Sequence, residues 1–364
     1  MVPLSQRLPD FPWDRLEPYK TTASGHPDGI VDLSVGTPVD PVPAVVQRAL
    51  AEAANSPGYP TTHGTARLRE AVAGWLGERL GVAADPAAVL PTIGSKELVA
   101  WLPTLLGIGP GDQVAHPRLA YPTYEVGARL AGAETVTYRD PRELDPTSLR
   151  LLWLNSPANP TGQVLDATTL RDVVGWARSH GVLVVSDECY VELGWEVEPV
   201  SVLHPDVCRG SHEGVLAVHS LSKRSNLAGY RAAFVTGDPR WVRELLQVRK
   251  HAGMMVPGPV QAALTAAFGD TAHVAVQRER YARRRAALRA AFEGAGFRIE
   301  HSEASLYLWA TREEPCWDTV ADLAKQGVLV TPGDFYGPAG ARFVRIAFTV
   351  DDERAAAAVR RLGG

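Results

Sequence analysis

The amino-acid sequence predicts an α/β protein: a doubly wound, mostly parallel sheet covered by helices, followed by a smaller α+β domain. The first observation is that apolar runs of strand length alternate with longer helical patterns through most of the chain. The second is that several apolar runs, such as residues 182–185, lack the alternation of a half-exposed strand. Continuous apolar strands are typical of parallel sheets that helices cover on both faces. We expect a large domain at residues 45–275, and a smaller one in which an N-terminal arm, residues 1–44, joins residues 276–364.

The composition excludes several classes of protein. Of the 364 residues, 45% are hydrophobic and 21% are charged, which is ordinary for a globular protein and argues against disorder or a fibre. The net charge of 37 − 41 = −4 gives no reason to expect nucleic acid or an anionic membrane as a partner. No apolar stretch reaches the roughly 18 residues of a membrane span, and the start lacks a signal-peptide core, so we expect a cytoplasmic protein. The 3 cysteines lack metal-ligand spacing and predict neither a disulfide framework nor a zinc site.

The strands and helices are expected in a regular order. The proline-rich arm contains one strand, at residues 31–36, and few helical signals. The large domain is expected to contain helices at residues 66–80 and 167–180 and strands at residues 89–93, 113–116, 135–138, 151–155, 182–186, 216–220 and 232–236. The smaller domain is expected to contain strands at residues 307–309 and 343–348 and a final helix at 351–362.

A long helix dense in arginine is predicted at residues 271–295, where the two domains meet. Such a helix suits either nucleic-acid binding or a solvated face that connects two domains. Because the chain as a whole is acidic, we interpret it as the connecting helix.

Polar residues follow several of the predicted strands, where open α/β sheets bind ligands. Gly94-Ser95-Lys96 follows one strand and begins a helix, so its backbone N–H groups can face an anion, although many ordinary strand–helix junctions share this composition. Asn159 lies in a loop with two prolines and a glycine, which either presents its side-chain amide rigidly or forms a plain turn.

Two charged residues also follow apolar strands. Asp187 ends the most apolar strand of the chain, where a buried carboxylate needs a cation or several hydrogen-bond donors, although capping a helix is the commoner role. Lys223 ends a Ser-Leu-Ser-Lys segment, and Arg231 lies eight residues further along. A lysine at this position suits an amine that forms a Schiff base, whereas a surface lysine is the alternative for the residue in isolation.

The joint occurrence of these motifs in this order is more informative than any one of them. Gly-Ser-Lys, Asn-Pro-Thr-Gly, Asp-x-x-Tyr and Ser-x-Ser-Lys, with an arginine eight residues after the lysine, resemble the pyridoxal-phosphate-dependent aminotransferases of fold type I, class I and II. The resemblance covers nearly the whole chain, from residue 31 to residue 348. It implies the large domain of fold type I, pyridoxal 5′-phosphate as the cofactor, amino-acid and 2-oxo-acid substrates, and a homodimer with shared active sites.

The resemblance implies a role for each residue that matches the cofactor site. Lys223 matches the lysine that binds the cofactor covalently and later moves a proton, and Asp187 matches the carboxylate that holds a proton on the pyridine nitrogen. Asn159 and Tyr190 match the pair that hydrogen-bonds the phenolic oxygen of the ring, and Tyr121 matches the aromatic residue stacked on it. The remaining cofactor-binding residues are Ser95, Lys96, Ser220, Ser222 and Arg231. Most of these match the cup that binds the phosphate, Ser95 and Lys96 mainly through backbone N–H groups.

Three further matches concern the substrate and the neighbouring subunit. Arg345 matches the arginine that binds the substrate α-carboxylate through two hydrogen bonds, with a buried ion pair as the alternative role. Gly36 would bring its backbone N–H to the same carboxylate, and Asn159 would also contact the substrate. Tyr59 matches a tyrosine that reaches the phosphate bound by the neighbouring subunit, which implies the homodimer.

The N-terminal segments of the chain carry more information about the substrate. Residues 8–16, 26–41 and 57–64 resemble the actinobacterial succinyldiaminopimelate aminotransferases of lysine and diaminopimelate biosynthesis. This resemblance implies reversible amino transfer from glutamate to N-succinyl-2-amino-6-oxopimelate, giving N-succinyl-LL-2,6-diaminopimelate and 2-oxoglutarate. The distal succinyl carboxylate needs cationic or donor groups, for which Arg224, Lys20 and Arg118 are candidates.

Three other functions stay open at this point. The first is an aminotransferase for another amino acid, such as aspartate, alanine or an aromatic one. The second is a pyridoxal-phosphate-dependent C–S lyase, which shares Lys223, Asp187 and Arg345. The third is a cofactor-binding regulator, although regulators resembling this family carry an added winged-helix domain that this sequence does not show.

Overall fold

The computed structural model describes residues 3–363, and its strands belong to three sheets. The helices are α1 (Glu17–Ser24), α2 (Ala44–Glu52), α3 (Ala66–Leu80), α4 (Ser95–Leu105), α5 (Thr123–Ala131), α6 (Ala167–Ser179), α7 (Pro205–Cys208), α8 (Leu221–Arg224), α9 (Pro239–Ala252), α10 (Gly258–Phe268), α11 (Ala272–Gly294), α12 (Cys316–Lys325) and α13 (Asp352–Arg361). The strands are β1 (Val31–Asp32), β2 (Val89–Ile93), β3 (Gln113–Pro117), β4 (Glu134–Tyr138), β5 (Leu149–Asn155), β6 (Leu183–Asp187), β7 (Val215–Ser220), β8 (Ala232–Gly237), β9 (Arg298–Glu300), β10 (Tyr307–Thr311), β11 (Val328–Leu329), β12 (Thr331–Pro332) and β13 (Val344–Ala347).

The large sheet has seven strands in the order β2-β8-β7-β6-β5-β3-β4. The pairings from β7 through β6, β5 and β3 to β4 are parallel, whereas β8 is antiparallel to both β7 and β2. The predicted doubly wound, mostly parallel α/β sheet is therefore confirmed, with β8 as the one reversed strand.

The apolar runs of the central strands are buried on both faces of this sheet. Val184 and Val185 are adjacent and both 0% exposed, and they pack into two different hydrophobic cores. One core contains Val72 and Leu76 of α3, and the other contains Leu98 and Leu102 of α4. Since successive side chains of a strand point to opposite faces, a strand between two helix layers must be apolar at every position.

The parallel arrangement brings the ends of three strands to one edge of the sheet. Asn155 at the end of β5 pairs in register with Asp187 at the end of β6, and Asp187 pairs with Val218 of β7. Ser220 ends β7 and begins the short helix α8. The polar residues that follow these strands in the sequence are thus neighbours in space.

The smaller sheets form around a separate core. A four-stranded antiparallel sheet has the order β12-β13-β10-β9, and β1 pairs in parallel with β11. Apolar residues of the arm, including Leu16 and Leu33, belong to the same core as Leu308 and Ile346 of this sheet. The predicted smaller α+β region is consistent with this packing, while the boundary between residues 275 and 276 stays a prediction.

The arm differs from its prediction in two respects. Strand β1 has two residues and not the six of residues 31–36: beyond Asp32 the Leu33 N–H still donates to the Leu329 carbonyl of β11, and the Leu33 carbonyl accepts from the Ala347 N–H of β13. Helix α1 was not expected, and it is fixed by tertiary packing: the ring of Tyr19 lies 5.3 Å from that of Trp317 in α12. Such packing has no signal in the local sequence.

The arginine-rich helix α11 is not only a solvated face. Its Arg284 is 4% exposed and is paired with Asp40 of the arm and Asp352 of α13, and Arg285 is paired with Glu196. The helix therefore connects regions through ion pairs as well as through the backbone. Among residues 3–363, no helix is long and apolar enough to cross a membrane.

Candidate active site

A cavity of about 500 Å³ lies at the carboxyl ends of β5, β6 and β7. Twelve of the thirteen residues predicted for the site line it: Gly36, Ser95, Lys96, Tyr121, Asn159, Asp187, Tyr190, Ser220, Ser222, Lys223, Arg231 and Arg345. They come from the arm, from residues that end or follow β2, β3, β5, β6 and β7 or precede β8, and from β13, so the fold brings together residues that are more than 300 positions apart.

Tyr59 is the predicted site residue that does not line this cavity. Its side chain is 97% exposed, at the loop between α2 and α3. A role in the site of a neighbouring subunit requires such exposure, and that role stays a prediction.

Lys223 is placed by the junction between β7 and α8. The Ser220 hydroxyl accepts a hydrogen bond from the Ser222 backbone N–H at 3.1 Å and so caps this short helix. The Lys223 ammonium donates a hydrogen bond to the Gly36 carbonyl oxygen. Burial lowers the pKa of Lys223, and the cations Arg345 and Arg231 lower it further. A lowered pKa increases the fraction of neutral, nucleophilic amine.

Asp187 is a buried carboxylate with hydrogen-bond donors but no ion pair among the described residues. One oxygen accepts from the Tyr124 hydroxyl at 2.9 Å and the other from the Cys189 backbone N–H at 3.2 Å. Burial raises the pKa of Asp187 in spite of these hydrogen bonds. A cation brought to this carboxylate by a ligand would therefore be bound strongly.

Arg345 on β13 also lies in the cavity without a carboxylate partner among residues 3–363. The side chain is 3% exposed, and its terminal nitrogens donate to the Asn159 side-chain oxygen at 2.9 Å and to the Ser34 carbonyl at 2.8 Å. Its Nε has no hydrogen-bond partner in the described chain. The alternative role of a buried ion pair thus finds no partner here, and a bound carboxylate would supply one.

An anion cradle lies between Arg231 and the first turn of α4. Gly94 has φ of +75°, and a Cβ built on it would lie 2.2 Å from Nη2 of Arg231. Only glycine leaves room for the guanidinium beside the N-terminus of this 11-residue helix, which begins at Ser95. Backbone N–H groups at a helix N-terminus together with a guanidinium suit a dianionic phosphate.

The structure adds lining residues that the sequence interpretation missed. Tyr124, on the Asp187 carboxylate, lies three residues after Tyr121 in a Tyr-Pro-Thr-Tyr segment, and this proximity was the available signal. Tyr307 lies on β10, which the sequence interpretation treated only as a strand of the smaller domain, so no local pattern pointed to it. The other additions are Phe11, Trp13, Val35, Thr37, Asn155, Cys189 and Ala228.

Comparison with known proteins places the chain in one family. The sequence profile of the family "Aminotransferase class I and II" matches residues 28–362. The chain is 61% identical over 357 residues to the 4-dedimethylamino-4-oxo-anhydrotetracycline transaminase OxyQ of Streptomyces rimosus, covering 98% of this chain and 99% of that protein. It is 64% identical over 360 residues to the probable aminotransferase Rv1178 of Mycobacterium tuberculosis, covering 99% of this chain and 86% of that protein.

Solved structures agree with these relatives. The structure of a probable N-succinyldiaminopimelate aminotransferase from Thermus thermophilus has a TM-score of 0.87 to this chain at 30% sequence identity, covering 97% of this chain and 99% of that one. The cofactor of the family, pyridoxal 5′-phosphate, fits the residues present: an amine at Lys223, an unpaired carboxylate at Asp187 and an anion cradle at Arg231. The chain belongs to the class I and II aminotransferases, which are pyridoxal-phosphate-dependent enzymes.

Proposed function

We propose that this aminotransferase transfers an amino group reversibly from glutamate to N-succinyl-2-amino-6-oxopimelate, the succinyldiaminopimelate transaminase step of lysine and diaminopimelate biosynthesis. The observation that carries the proposal is that the cavity contains two cations besides those proposed to hold the cofactor. These are Arg345 and Lys96, and neither is paired with a carboxylate of the described residues. Two such cations suit a substrate with a carboxylate at each end. Further support comes from the resemblance of residues 8–16, 26–41 and 57–64 and from the likeness to the Thermus thermophilus structure.

In this proposal the predicted residues that line the cavity have defined tasks. Arg345 binds the substrate α-carboxylate through two parallel hydrogen bonds, assisted by Asn159 and the Gly36 backbone N–H. When bound, pyridoxal phosphate supplies a conjugated ring that accepts the electron pair left on the substrate α-carbon. Lys223 takes the proton from the α-carbon as a general base and returns it as a general acid, because its lowered pKa leaves part of the amine neutral. Asp187 keeps the ring nitrogen protonated.

The remaining cofactor contacts follow the same proposal. Tyr190 and Asn159 would donate hydrogen bonds to the phenolic oxygen of the ring, and Tyr121 would stack on its face. Arg231 and the first turn of α4 would hold the phosphate, and the hydroxyls of Ser220 and Ser222, which line the same cavity, would assist them.

Lys96 is the cation we assign to the distal carboxylate. Its ammonium lies 5.6 Å from the ring centroid of Phe11 and 5.9 Å from that of Tyr121, at a cavity wall that also contains Trp13. No described acidic side chain forms an ion pair with Lys96. This assignment concerns only the side chain of Lys96. Its backbone N–H is the group proposed to contact the phosphate.

The three cations suggested by the sequence lie elsewhere. Arg224 is buried and ion-paired with Glu192, and it lines a different cavity. Arg118 lines a neighbouring cavity of about 820 Å³ that shares only Tyr121 with this one. Lys20 is exposed on α1 and lines neither cavity.

A second candidate function is amino transfer to a fused-ring ketone of the tetracycline type. The observation that favours it is the 61% identity to the Streptomyces rimosus transaminase along nearly the whole of both chains. Aromatic side chains of the arm at the cavity, Phe11 and Trp13, would pack on a flat ring system as well as they cover an aliphatic chain.

We further propose a homodimer in which each subunit completes the site of the other. The exposed Tyr59 would reach the phosphate bound by the partner subunit, as the family resemblance implies. A C₂ dimer places two such loops symmetrically, so both sites would be shared.

A substrate panel tests the proposed function. Purified enzyme loaded with pyridoxal phosphate is assayed with glutamate against a series of 2-oxo acids and fused-ring ketones, and in the reverse direction with 2-oxoglutarate. We expect kcat/KM for the succinylated oxo acid to exceed that for other acceptors by at least about tenfold, roughly one good charged contact. A higher value for the fused-ring ketone supports the second candidate. Release of pyruvate and ammonia from a cysteine conjugate, without amino transfer, identifies a C–S lyase and overturns both.

A pair of variants tests the assignment of Lys96. Lys96→Met should raise KM for the succinylated oxo acid at least about fivefold, as expected for a charged hydrogen bond. Arg118→Met, a matched change of an exposed cation in the neighbouring cavity, should leave KM unchanged. Equal effects of the two variants would refute the assignment.

A further inference from the structure

Tyr307 lies between Tyr190 and Arg345 in the cavity. Its hydroxyl lies 2.9 Å from the hydroxyl of Tyr190, and the Arg345 guanidinium lies 4.0 Å from the centroid of its ring. The side chain is 3% exposed on β10 and lines the cavity. One residue therefore contacts both the proposed ligand of the cofactor ring and the proposed ligand of the substrate carboxylate.

The ring of Tyr307 fixes the plane of Arg345. A guanidinium over an aromatic face is attracted by the negative face of the ring, and the attraction is strongest where water is excluded. The two hydrogen bonds of Arg345 to Asn159 and Ser34 restrain its edge but leave Nε without a partner. The Tyr307 ring, the nearer of two tyrosine rings on this guanidinium (4.0 Å, against 5.0 Å for Tyr336), adds a restraint that these hydrogen bonds do not supply.

The hydroxyl of Tyr307 restrains Tyr190. A tyrosine hydroxyl has one proton to donate, so if Tyr190 donates to the cofactor ring, the proton between the two tyrosines must come from Tyr307. The electrostatics agree with this direction. Burial raises the pKa of both tyrosines, but the cations Arg345 and Lys223, together with the hydrogen bond between the two hydroxyls, outweigh it at Tyr307 and lower its pKa, whereas the pKa of Tyr190 is raised. The more acidic hydroxyl is the better donor, and donation to Tyr190 polarises the next hydrogen bond.

The lack of a side chain at Gly36 leaves room for Tyr307. A Cβ built on Gly36 would lie 2.4 Å from the Tyr307 hydroxyl oxygen, so any larger residue would displace the tyrosine. The Gly36 carbonyl accepts the hydrogen bond of Lys223. The lack of a side chain at position 36 thus serves Tyr307 as well as the approach of the substrate.

We propose that Tyr307 is a positioning residue that couples the two ligands of the site, its ring orienting Arg345 and its hydroxyl orienting the proton of Tyr190. The inference rests on the roles proposed above for Tyr190 and Arg345. The two functions of the side chain can be separated experimentally, because phenylalanine keeps the ring and removes only the hydroxyl.

The test compares Tyr307→Phe and Tyr307→Leu in the cofactor-loaded enzyme. The first readout needs no substrate: it is the pH midpoint at which the absorbance of the bound cofactor changes. Both variants should shift the midpoint upward by about half a pH unit, because a weakened donor at Tyr190 stabilises the deprotonated ring oxygen less. The second readout is KM for glutamate, which should stay within about twofold in Tyr307→Phe and rise about tenfold in Tyr307→Leu, where the face over Arg345 is lost.

Tyr336→Phe is the matched control. The ring of Tyr336 lies on the same guanidinium, 5.0 Å from it, and is buried to the same extent, but it does not line the cavity. Its pH midpoint and KM should equal those of the unmodified enzyme. Thermal unfolding of each variant shows whether it is folded, and Tyr307→Met replaces Tyr307→Leu if the latter is not.

The outcomes distinguish the inference from the function on which it rests. A Tyr307→Phe enzyme with an unshifted midpoint, or a Tyr307→Leu enzyme with an unchanged KM, overturns the coupling role. A lower melting temperature with both readouts unchanged shows a merely structural tyrosine and also overturns it. If the unmodified protein has no absorbance that responds to pH or to glutamate, the proposed function itself fails.

Discussion

The described chain contains two clusters of buried charged side chains, one that includes Asp40 of the arm and one that includes Arg345 of β13. They differ in how their charges are balanced. The arm–helix cluster consists of Asp40 of the arm with Gln277 and Arg284 of α11, with Asn226 beside it and the exposed Asp352 at its edge. The cavity cluster consists of Asp187, Lys223 and Arg345. Both are shielded from water: the side chains of Arg284 and Asp40 are 4% and 9% exposed, and Arg345 and Asp187 are 3% and 8% exposed as residues.

The arm–helix cluster is balanced within the chain. Arg284 donates two hydrogen bonds to the Asp40 carboxylate, at 2.7 and 2.8 Å, and a third to Asp352 at 2.6 Å. Gln277 donates to Asp40 at 2.7 Å and accepts from Asn226 at 3.0 Å. Burial opposes the ionisation of Asp40, but these donors outweigh it and lower its pKa.

The cavity cluster is not balanced among the described residues. Asp187 has two neutral donors and a raised pKa, Lys223 has a lowered pKa, and Arg345 has only neutral acceptors. Isolated buried charges cost free energy, so a fold keeps them where a ligand brings the countercharges. The difference teaches that buried charge alone does not identify a site, whereas buried charge without a partner does.

Replacing the amine of the cavity cluster should have the largest effect on activity. Lys223→Ala should lower kcat by more than about a thousandfold, since only a primary amine binds the cofactor covalently. Steady-state kinetics and circular dichroism measure the loss and the retained fold. Borohydride reduction followed by peptide mapping should locate the cofactor on Lys223, and a label on another lysine would show that the wrong residue had been assigned.

Arg345→Lys should weaken both half-reactions, because every amino donor and oxo acceptor carries an α-carboxylate. Lysine keeps the charge but cannot make two parallel hydrogen bonds. We expect a loss of about 2–5 kcal/mol, or about 30- to several-thousand-fold in kcat/KM. The loss should be similar for glutamate and for the succinylated oxo acid. A loss confined to one of them would mean that Arg345 binds a distal carboxylate.

In the arm–helix cluster the main effect should be on stability. Asp40→Ala leaves Arg284 with one carboxylate partner and should lower the free energy of unfolding by about 3 kcal/mol at neutral pH. Because the folded pKa of Asp40 is below the ordinary aspartate value of 3.8, the stabilisation is present above that pH and is lost as the pH falls through the folded pKa. Urea unfolding at pH 7 and pH 3 should therefore show a smaller difference from the unmodified protein at pH 3; an equal difference at both values would argue against an ionic role.

The exposed Tyr59 lies outside both clusters, and its proposed role in the partner's site gives the smallest signal. Mixing inactive Lys223→Ala subunits with Tyr59→Phe subunits forms hybrid dimers that have one site with both changes and one with neither. After exchange, about one site in four should be intact, so activity should rise above that of the unexchanged mixture. If hybrids form, as native mass spectrometry can show, and activity does not rise, the sites are not shared.

The sequence predicts regions in which local signals and tertiary packing agree. The bounds of α3 match the prediction because Thr65 caps its first turn, accepting from the Leu68 N–H, and Gly81 ends it at φ of +65°. Asp187 was predictable because it ends a mostly apolar strand, and Lys223 because it follows another such strand within a Ser-Leu-Ser-Lys segment. By contrast, the roles of Tyr307 and the Asp40–Arg284 pair depend on contacts across 117 and 244 positions. Such contacts carry no local pattern.

The most direct test of the difference between the clusters is the thermal stability of Asp187→Asn and Asp40→Asn, each measured with and without pyridoxal phosphate. Burial raises the pKa of Asp187, so its ionised form destabilises the cofactor-free fold at neutral pH. The cofactor stabilises the folded state in proportion to its affinity. We predict that Asp187→Asn leaves the melting temperature of the cofactor-free protein unchanged or higher and reduces the rise caused by the cofactor. Asp40→Asn should lower both melting temperatures equally. A cofactor-free Asp187→Asn protein that melts well below the unmodified one, with a full rise on adding cofactor, would contradict the account.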